Sequence, residues 1–192
     1  QKTILKIIII VVLPSLTWSC LTYYDVRVNG YTGGKLDIQS HKTITIVRNP
    51  KAQNPLLEEE IATKLSKSLM LKGYLISDDA NSSEYILFFN YGIESGGTRT
   101  YSYEGTRLNV FTRRLEPTTE VGSESVYRRH LILNLYKLNG FTENSKPVWV
   151  GEAYSTGSSS DLRKVIDFLI RGAIEHFGKD TGSAKTHRYI DE

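Results

Sequence analysis

The side chains that most often catalyse reactions are few in this chain and far apart. The four histidines are His41, His130, His176 and His187, and no two have the spacing of metal ligands within one motif. Residues 92–96 read GIESG, with the serine one position later than in the GxSxG turn of hydrolases. The sequence therefore predicts no metal site, no nucleophilic serine and no cofactor.

Paired carboxylates offer a second route to catalysis. Asp78 and Asp79 are adjacent, but neighbouring side chains of an extended chain point in opposite directions, so we interpret them as part of a solvated turn. An acid–base site could instead be assembled from residues far apart in sequence, such as Asp78, His130 and Glu152. That arrangement would make the protein a hydrolase, provided that the three side chains meet in one cleft.

Cys20 is the only cysteine, and it closely follows the one long apolar run of the chain. Lys2 and Lys6 precede an unbroken apolar run at residues 7–13, and Pro14 ends any helix that began there. The run is shorter than the roughly 20 apolar residues that cross a bilayer, and it is typical of a secretory signal. A single cysteine can form no internal disulfide, so cysteine usage alone does not separate the cytosol from the envelope.

Residues 16–20, LTWSC, resemble the lipobox of bacterial lipoproteins, in which a small residue precedes a cysteine that receives diacylglycerol. The resemblance implies a signal peptide at 1–19 and a lipid on Cys20, in a chain whose initiator methionine we expect before Gln1. The alternative is a conventional signal cut near Ser19, with an incidental cysteine. Leu21 stands where aspartate would retain many lipoproteins at the inner membrane, which favours the periplasmic side of the outer membrane.

Length and charge limit the class of protein. With 192 residues and 40% apolar residues, the chain can form one well-buried core. The formal net charge is +3, and Lys2 and Lys6 supply two of these charges, so the remainder is nearly neutral. Nucleic-acid binding is not expected, because it normally requires a concentrated positive surface.

The clearest predicted element is a helix in residues 54–73, NPLLEEEIATKLSKSLMLKG. Asn54 is suited to the N-cap, Pro55 to the first helical position and Gly73 to the C-cap. Apolar side chains recur at every fourth position and predict a buried stripe. They are Leu57, Ile61, Leu65 and Leu69.

The remaining patterns predict strands and a second helix. Alternating or apolar runs predict strands near 23–29, 42–49, 85–91, 126–138 and 146–157. Ser158 and Asp161 have capping-box spacing ahead of a second amphipathic helix that ends before Gly178. We expect an α+β fold, a mostly antiparallel sheet with two amphipathic helices packed on one face in two layers. The domain would span 26–178, after a lipidated N-terminus and tether at 20–25 and before a disordered tail at 179–192.

Between residues 26 and 177 the chain resembles bacterial lipoproteins of the domain of unknown function 4136 family. The segments that carry the resemblance are HKTITIV, NPLLEEEIATKLSKSLMLKGY, DDANSSEYILFFNY and VWVGEAYSTG. The resemblance implies an envelope location and an α+β fold. It supplies no catalytic motif.

Basic and aromatic side chains suggest a binding surface on a projecting hairpin at residues 92–126. We expect this exposed hairpin to meet a partner, either an envelope protein or an anionic polymer, although a solvated strand face explains the same pattern. The candidate residues are Arg99, Tyr101, Tyr103, Arg113, Arg114, Arg128 and Arg129. The predicted function is a non-enzymatic, lipid-anchored binding or assembly module, and the alternative is an envelope hydrolase with a dispersed site.

Overall fold

The computed structural model describes residues 22–33, 38, 41–79, 82–109, 111, 113–142 and 144–191. The predicted signal peptide at 1–19 and the predicted lipidation site Cys20 lie outside these residues. Among the residues described, neither helix has both the length and the apolar character needed to cross a membrane.

Seven strands form one mixed sheet. They are β1 (Tyr23–Thr32), β2 (Thr43–Val47), β3 (Leu75–Ile76), β4 (Tyr85–Asn109), β5 (Arg114–Lys137), β6 (Trp149–Gly157) and β7 (Lys185–Ile190). Their order is β3-β2-β4-β5-β6-β1-β7, and the pairs that β2 makes with β3 and β4 are parallel. The other neighbouring strands pair antiparallel. With two α-helices added, the predicted α+β class is confirmed.

The first helix, α1 (Pro55–Leu71), forms as its local signals predict. Asn54 caps the helix, since its side-chain oxygen accepts the main-chain N–H of Leu57 at 3.1 Å. After the helix, Gly73 adopts a φ of 89°, which glycine tolerates best. The predicted stripe faces inward, with Leu57 partly buried and Ile61, Leu65 and Leu69 fully buried.

The second helix is shorter than the apolar pattern predicts. A 3-10 turn, Leu162–Lys164, comes first, and Asp161 caps it by accepting the N–H of Arg163. The helix α2 (Ile166–Glu175) follows and packs against β1, β5 and β6, while α1 contacts α2, β2 and β3. The apolar side chains of this segment are buried: Leu162, Val165, Ile166, Leu169, Ile170, Ala173, Ile174 and Phe177.

Strand alternation divides the sheet into two faces. The helix face carries the buried core of the strands, including Val26, Leu87, Leu131 and Ala153. The residues between these positions point to the opposite side, which we call the open face. On β1, β5 and β6 the open face includes the polar residues Asp25, Arg27, Arg128 and Tyr154.

The predictions of a tether at 20–25 and a disordered tail at 179–192 are wrong where the structure describes these residues. Residues Tyr23 to Asp25 already belong to β1, and they pair with the end of β7. Arg188 holds the two strands together by donating to both carboxylate oxygens of Asp25 at 2.7 and 3.0 Å. On the helix face, Tyr189 stacks on Phe168 with ring centroids 5.4 Å apart. The order of these segments therefore comes from contacts between the two ends of the domain.

The predicted hairpin is present and is formed by the long distal parts of β4 and β5. Tyr127 pairs with Gly157, the last residue of β6. The residues of β5 before Tyr127 therefore pair only with β4. The register shifts between Ser95 and Gly97, which marks a bulge at the base of the hairpin. The hairpin therefore leaves the sheet at the end where β1 begins.

Candidate functional site

Polar side chains on the open face are aligned across neighbouring strands. Arg27 in β1 lies directly beside Tyr154 in β6 and Thr186 in β7. The next open-face residue of β1, Asn29, lies beside Glu152 in β6, with Asn29 Nδ2 3.5 Å from the carboxylate. Cross-strand register thus gathers residues from both ends of the chain into one polar array.

This array lines a groove of about 700 Å³, which we call the open-face groove. Its lining residues are Asp25, Arg27, Asn29, Arg99, Arg128, Glu152, Tyr154, Thr156 and Thr186. Arg99 belongs to the hairpin, whereas the others lie on β1, β5, β6 and β7. The base of the hairpin therefore forms one wall, and the sheet forms the floor.

Arg128 and Tyr154 form the best-defined contact in the groove. The guanidinium carbon of Arg128 lies 4.2 Å from the centre of the Tyr154 ring, which is a favourable cation–π distance. Tyr154 is partly buried, and burial raises the pKa of its hydroxyl. The ring thus stays neutral and positions an exposed guanidinium over the floor of the groove.

The arginines of the groove are incompletely neutralised. Asp25 is already paired with Arg188, and the hydrogen bond from Arg188 lowers the pKa of Asp25. Arg99 lies 3.9 Å from the carboxylate of Glu124, at the limit of an ion pair. Within the described part of the chain, Arg27 and Arg128 form no ion pair. The groove can therefore offer two guanidinium groups to an anionic ligand.

His130 is next to the groove, and its ring packs against Gly92. It lies between Tyr154 and Gly92 on the open face, and a Cβ atom on Gly92 would come within 2.8 Å of the imidazole. The Nδ1 atom of His130 is 3.8 Å from Glu94 and has no hydrogen-bond partner among the described residues. His130 is thus a largely buried neighbour of the groove, and its Nδ1 atom is shielded from solvent.

The predicted binding residues do not all share one surface. Arg99 and Arg128 line the open-face groove. The prediction that Arg129 belongs to a binding surface is wrong, because only 1% of this residue is exposed. It lies on the helix face, where Nη1 donates to the carbonyl of Ser159 at 3.2 Å and Nη2 to Ser155 at 3.4 Å. Burial lowers the pKa of this guanidinium. Arg129 therefore connects β5 to the segment before the 3-10 turn.

The other predicted residues lie farther out on the hairpin. The rings of Tyr101 and Tyr103 stack with centroids 6.5 Å apart, and Tyr103 donates to Glu120. Arg114 begins β5, and the extended strand places it roughly 46 Å along the chain from Arg128. Arg113 precedes the strand in the tip, with a φ of 54°. Arg113 and Arg114 therefore lie far from Arg128.

The proposed acid–base trio does not converge. Asp78 follows β3 at one edge of the sheet and lines a separate groove beside α1, whereas Glu152 lines the open-face groove. The strand order places β2, β4 and β5 between β3 and β6, a separation of about 19 Å across the sheet. His130 shares the open face with Glu152 but not with Asp78. This set of residues therefore cannot act as one catalytic site in this fold.

Most residues that line the groove are not among the binding residues predicted from the sequence. Arg27, Asn29, Glu152 and Tyr154 each occupy a polar position in an alternating strand, so their outward direction was visible in the sequence. Their proximity was not visible, because it requires β1 to insert between β6 and β7. The fold and site together define an α+β domain with an exposed, arginine-lined polar groove.

Comparison with known proteins gives distant likenesses. No family model and no curated protein matches the chain. Among solved structures, a PDZ domain protein from Parabacteroides distasonis aligns with a TM-score of 0.54 and 11% identity. The alignment covers 88% of this chain but 39% of that protein, so the chain spans about two-fifths of its length. At this identity the match shows a shared fold alone.

Two further structures are similar at lower TM-scores. PelC from Paraburkholderia phytofirmans, solved as a dodecamer, has a TM-score of 0.46 and 14% identity, covering 80% of this chain and 98% of that one. A protein of the DUF4136 family from Bacteroides thetaiotaomicron has a TM-score of 0.38 and 13% identity, covering 81% of this chain and 94% of that one. The DUF4136 family is also the one that the sequence resembles.

Proposed function

We propose that this protein is a lipid-anchored module of the bacterial cell envelope that binds an anionic group of another envelope component in the open-face groove. In this proposal Cys20 carries the lipid, and the folded domain is a two-layer, mostly antiparallel unit without catalytic activity. The partner is an anionic polymer or the acidic surface of an envelope protein. The outer membrane, on its periplasmic side, is the proposed location.

The observation that carries this proposal is the convergence of Arg27, Arg99 and Arg128 in one groove. Two carboxylates, Asp25 and Glu152, also line it, but Asp25 is already engaged by Arg188. Guanidinium groups match carboxylate and phosphate oxygens with two parallel hydrogen bonds, and they lose less hydration than an ammonium group. An anionic group therefore fits this groove better than a neutral or cationic one.

The position of the chain end supports an envelope role for the groove. Asp191 donates its main-chain N–H to the carbonyl of Thr22 at 3.0 Å, so the described chain begins at a fixed point of the sheet. Cys20 is two residues before Thr22, a span of at most about 7 Å. A lipid on Cys20 would therefore hold the groove and the base of the hairpin close to the membrane surface.

Cross-linking in intact cells tests the proposed binding site. A photoreactive amino acid at Thr156, an exposed groove position, should yield a covalent adduct with the partner. Changing Arg128→Ala in this background should reduce the adduct at least about tenfold, because a charge-assisted pair is lost. The control is Arg163→Ala, an exposed arginine outside the groove. Equal adduct yields in the Arg128→Ala and control proteins would contradict the proposal.

Shortening the hairpin separates its distal part from the groove. Tyr101 and Gly122 are register partners, so an Asn-Gly turn can join them in place of residues 102–121 while Arg99 is retained. The removed strand segments pair with each other, so we expect the free energy of unfolding in urea to change by at most about 1 kcal/mol.

The same shortened protein should retain the adduct at Thr156, since the groove remains complete. Loss of cooperative unfolding would show that the distal hairpin belongs to the core. A normal fold without the adduct would instead place the binding surface on the distal hairpin.

A further inference from the structure

Two histidines that the sequence places 11 residues apart meet at the end of α2. His176 is the C-cap of α2, and His187 lies on β7 opposite Val26. Their Nε2 atoms are 3.1 Å apart, and both side chains are partly buried. Glu175, the last residue of α2, places Oε2 3.5 Å from Nδ1 of His187, the other nitrogen of that ring.

We propose that Glu175, His176 and His187 bind one divalent transition-metal ion such as Zn²⁺. Each residue offers one ligand atom, and the three atoms all lie within 4.8 Å of one another. Two nitrogens on one tetrahedral Zn²⁺ are roughly 3.3 Å apart, close to the distance between the two Nε2 atoms. Imidazole nitrogen and carboxylate oxygen are ligands that Zn²⁺ commonly takes, and water can complete the coordination.

The three ligands differ in how firmly they are held. His176 is fixed at the helix end, where its main-chain N–H donates to the carbonyl of Ile174. His187 is held by the β1–β7 ladder and by a ring contact with Tyr189, with centroids 6.3 Å apart. Glu175 is exposed and can rotate toward the ion. The backbone thus pre-positions the two imidazole nitrogens, and the carboxylate of Glu175 would be the third protein ligand.

Two nearby charges, those of Lys72 and Lys179, oppose cation binding. Lys72 reaches from the end of α1 and donates to the main-chain carbonyl of Glu175 at 3.0 Å. Its ammonium therefore raises the electrostatic cost of placing a second positive charge at this point. The carboxylate of Glu175 offsets this cost, which is one reason to expect it as a ligand.

A bound ion would connect α2 directly to β7, the strand at the edge of the sheet. Sequence spacing does not reveal the site, because His187 reaches His176 only through the pairing of β7 with β1. The site is independent of the open-face groove, since its residues lie on the helix face and none of them lines the groove.

Metal titration of the full chain, purified in detergent without a polyhistidine tag and stripped with a chelator, tests the proposal. We expect saturable binding of one Zn²⁺ per chain by calorimetry and an increase in the unfolding temperature on adding Zn²⁺. His176→Gln and His187→Gln, which keep a polar side chain, should each weaken binding at least about tenfold. The matched control, His130→Gln, changes a partly buried histidine outside the site and should bind as the original chain does.

Circular dichroism of the metal-free proteins separates ligand loss from misfolding. Unchanged spectra with binding lost in both His176→Gln and His187→Gln would support the site. If the original chain fails to bind Zn²⁺, or if either of these variants binds as tightly as His130→Gln, the proposed site is wrong.

Discussion

Leu169→Ala and Leu65→Ala should each lower the free energy of unfolding by about 2–5 kcal/mol. Leu65 is in the middle of α1 and Leu169 near the middle of α2, and both side chains are completely buried in the core. Alanine removes three carbon atoms from each site and leaves a cavity that rigid neighbours can fill only in part. Such a loss is a large share of the 5–15 kcal/mol by which folded domains are typically stable.

Urea denaturation measures this loss, and α1 supplies a matched control. Leu71 belongs to the same helix as Leu65, but 81% of it is exposed. Leu71→Ala should therefore change the free energy of unfolding by no more than about 0.5 kcal/mol. Equal unfolding curves for Leu65→Ala and Leu71→Ala would show that the predicted apolar stripe does not face the core.

Local signals explain why the helix α1 was predictable. The N-cap Asn54 and the Gly73 at the helix end act within a few residues, and the apolar stripe repeats every four residues. None of these features depends on where the helix packs. The α+β class follows from such local patterns, because they identify two helices and the main strands without fixing the strand order.

Contacts between distant segments explain what was missed. The strand β7 contains Lys185, His187 and Arg188 and has little apolar character of its own. It becomes ordered because it pairs with β1, at the other end of the domain, and because Tyr189 stacks on Phe168. The same insertion of β1 between β6 and β7 creates the groove and the meeting of His176 with His187. These features depend on the strand order, which the sequence does not reveal.

Strand alternation explains why Arg129 is buried although Arg128 lines the groove. Leu131, Leu133 and Leu135 alternate along β5, and their side chains are fully buried on the helix face. Arg129 is two residues before Leu131 and therefore shares that face, whereas Arg128 must point the opposite way. The adjacent arginines have different roles for this reason: Arg129 makes structural hydrogen bonds in the interior, and Arg128 lines the groove.

The proposed lipid anchor rests on sequence alone, and its removal is the second change for which we expect a large effect. The apolar run after Lys2 and Lys6 is too short for a stable transmembrane helix, and Cys20 follows it behind the small residue Ser19. Diacylglycerol on Cys20 would contribute about 0.8 kcal/mol for each methylene group that enters the bilayer. Two or three acyl chains would therefore hold the domain at the membrane essentially permanently.

Metabolic labelling with radioactive palmitate tests this claim most directly, in cells that produce the original chain, Cys20→Ala or Ser19→Ala. Label should enter the original chain and Ser19→Ala, in which a small residue still precedes the cysteine. Cys20→Ala should carry no label and should be either unprocessed or released from the membrane fraction. Label on Cys20→Ala, or its absence from the original chain, would contradict the proposal of a lipid-anchored envelope protein.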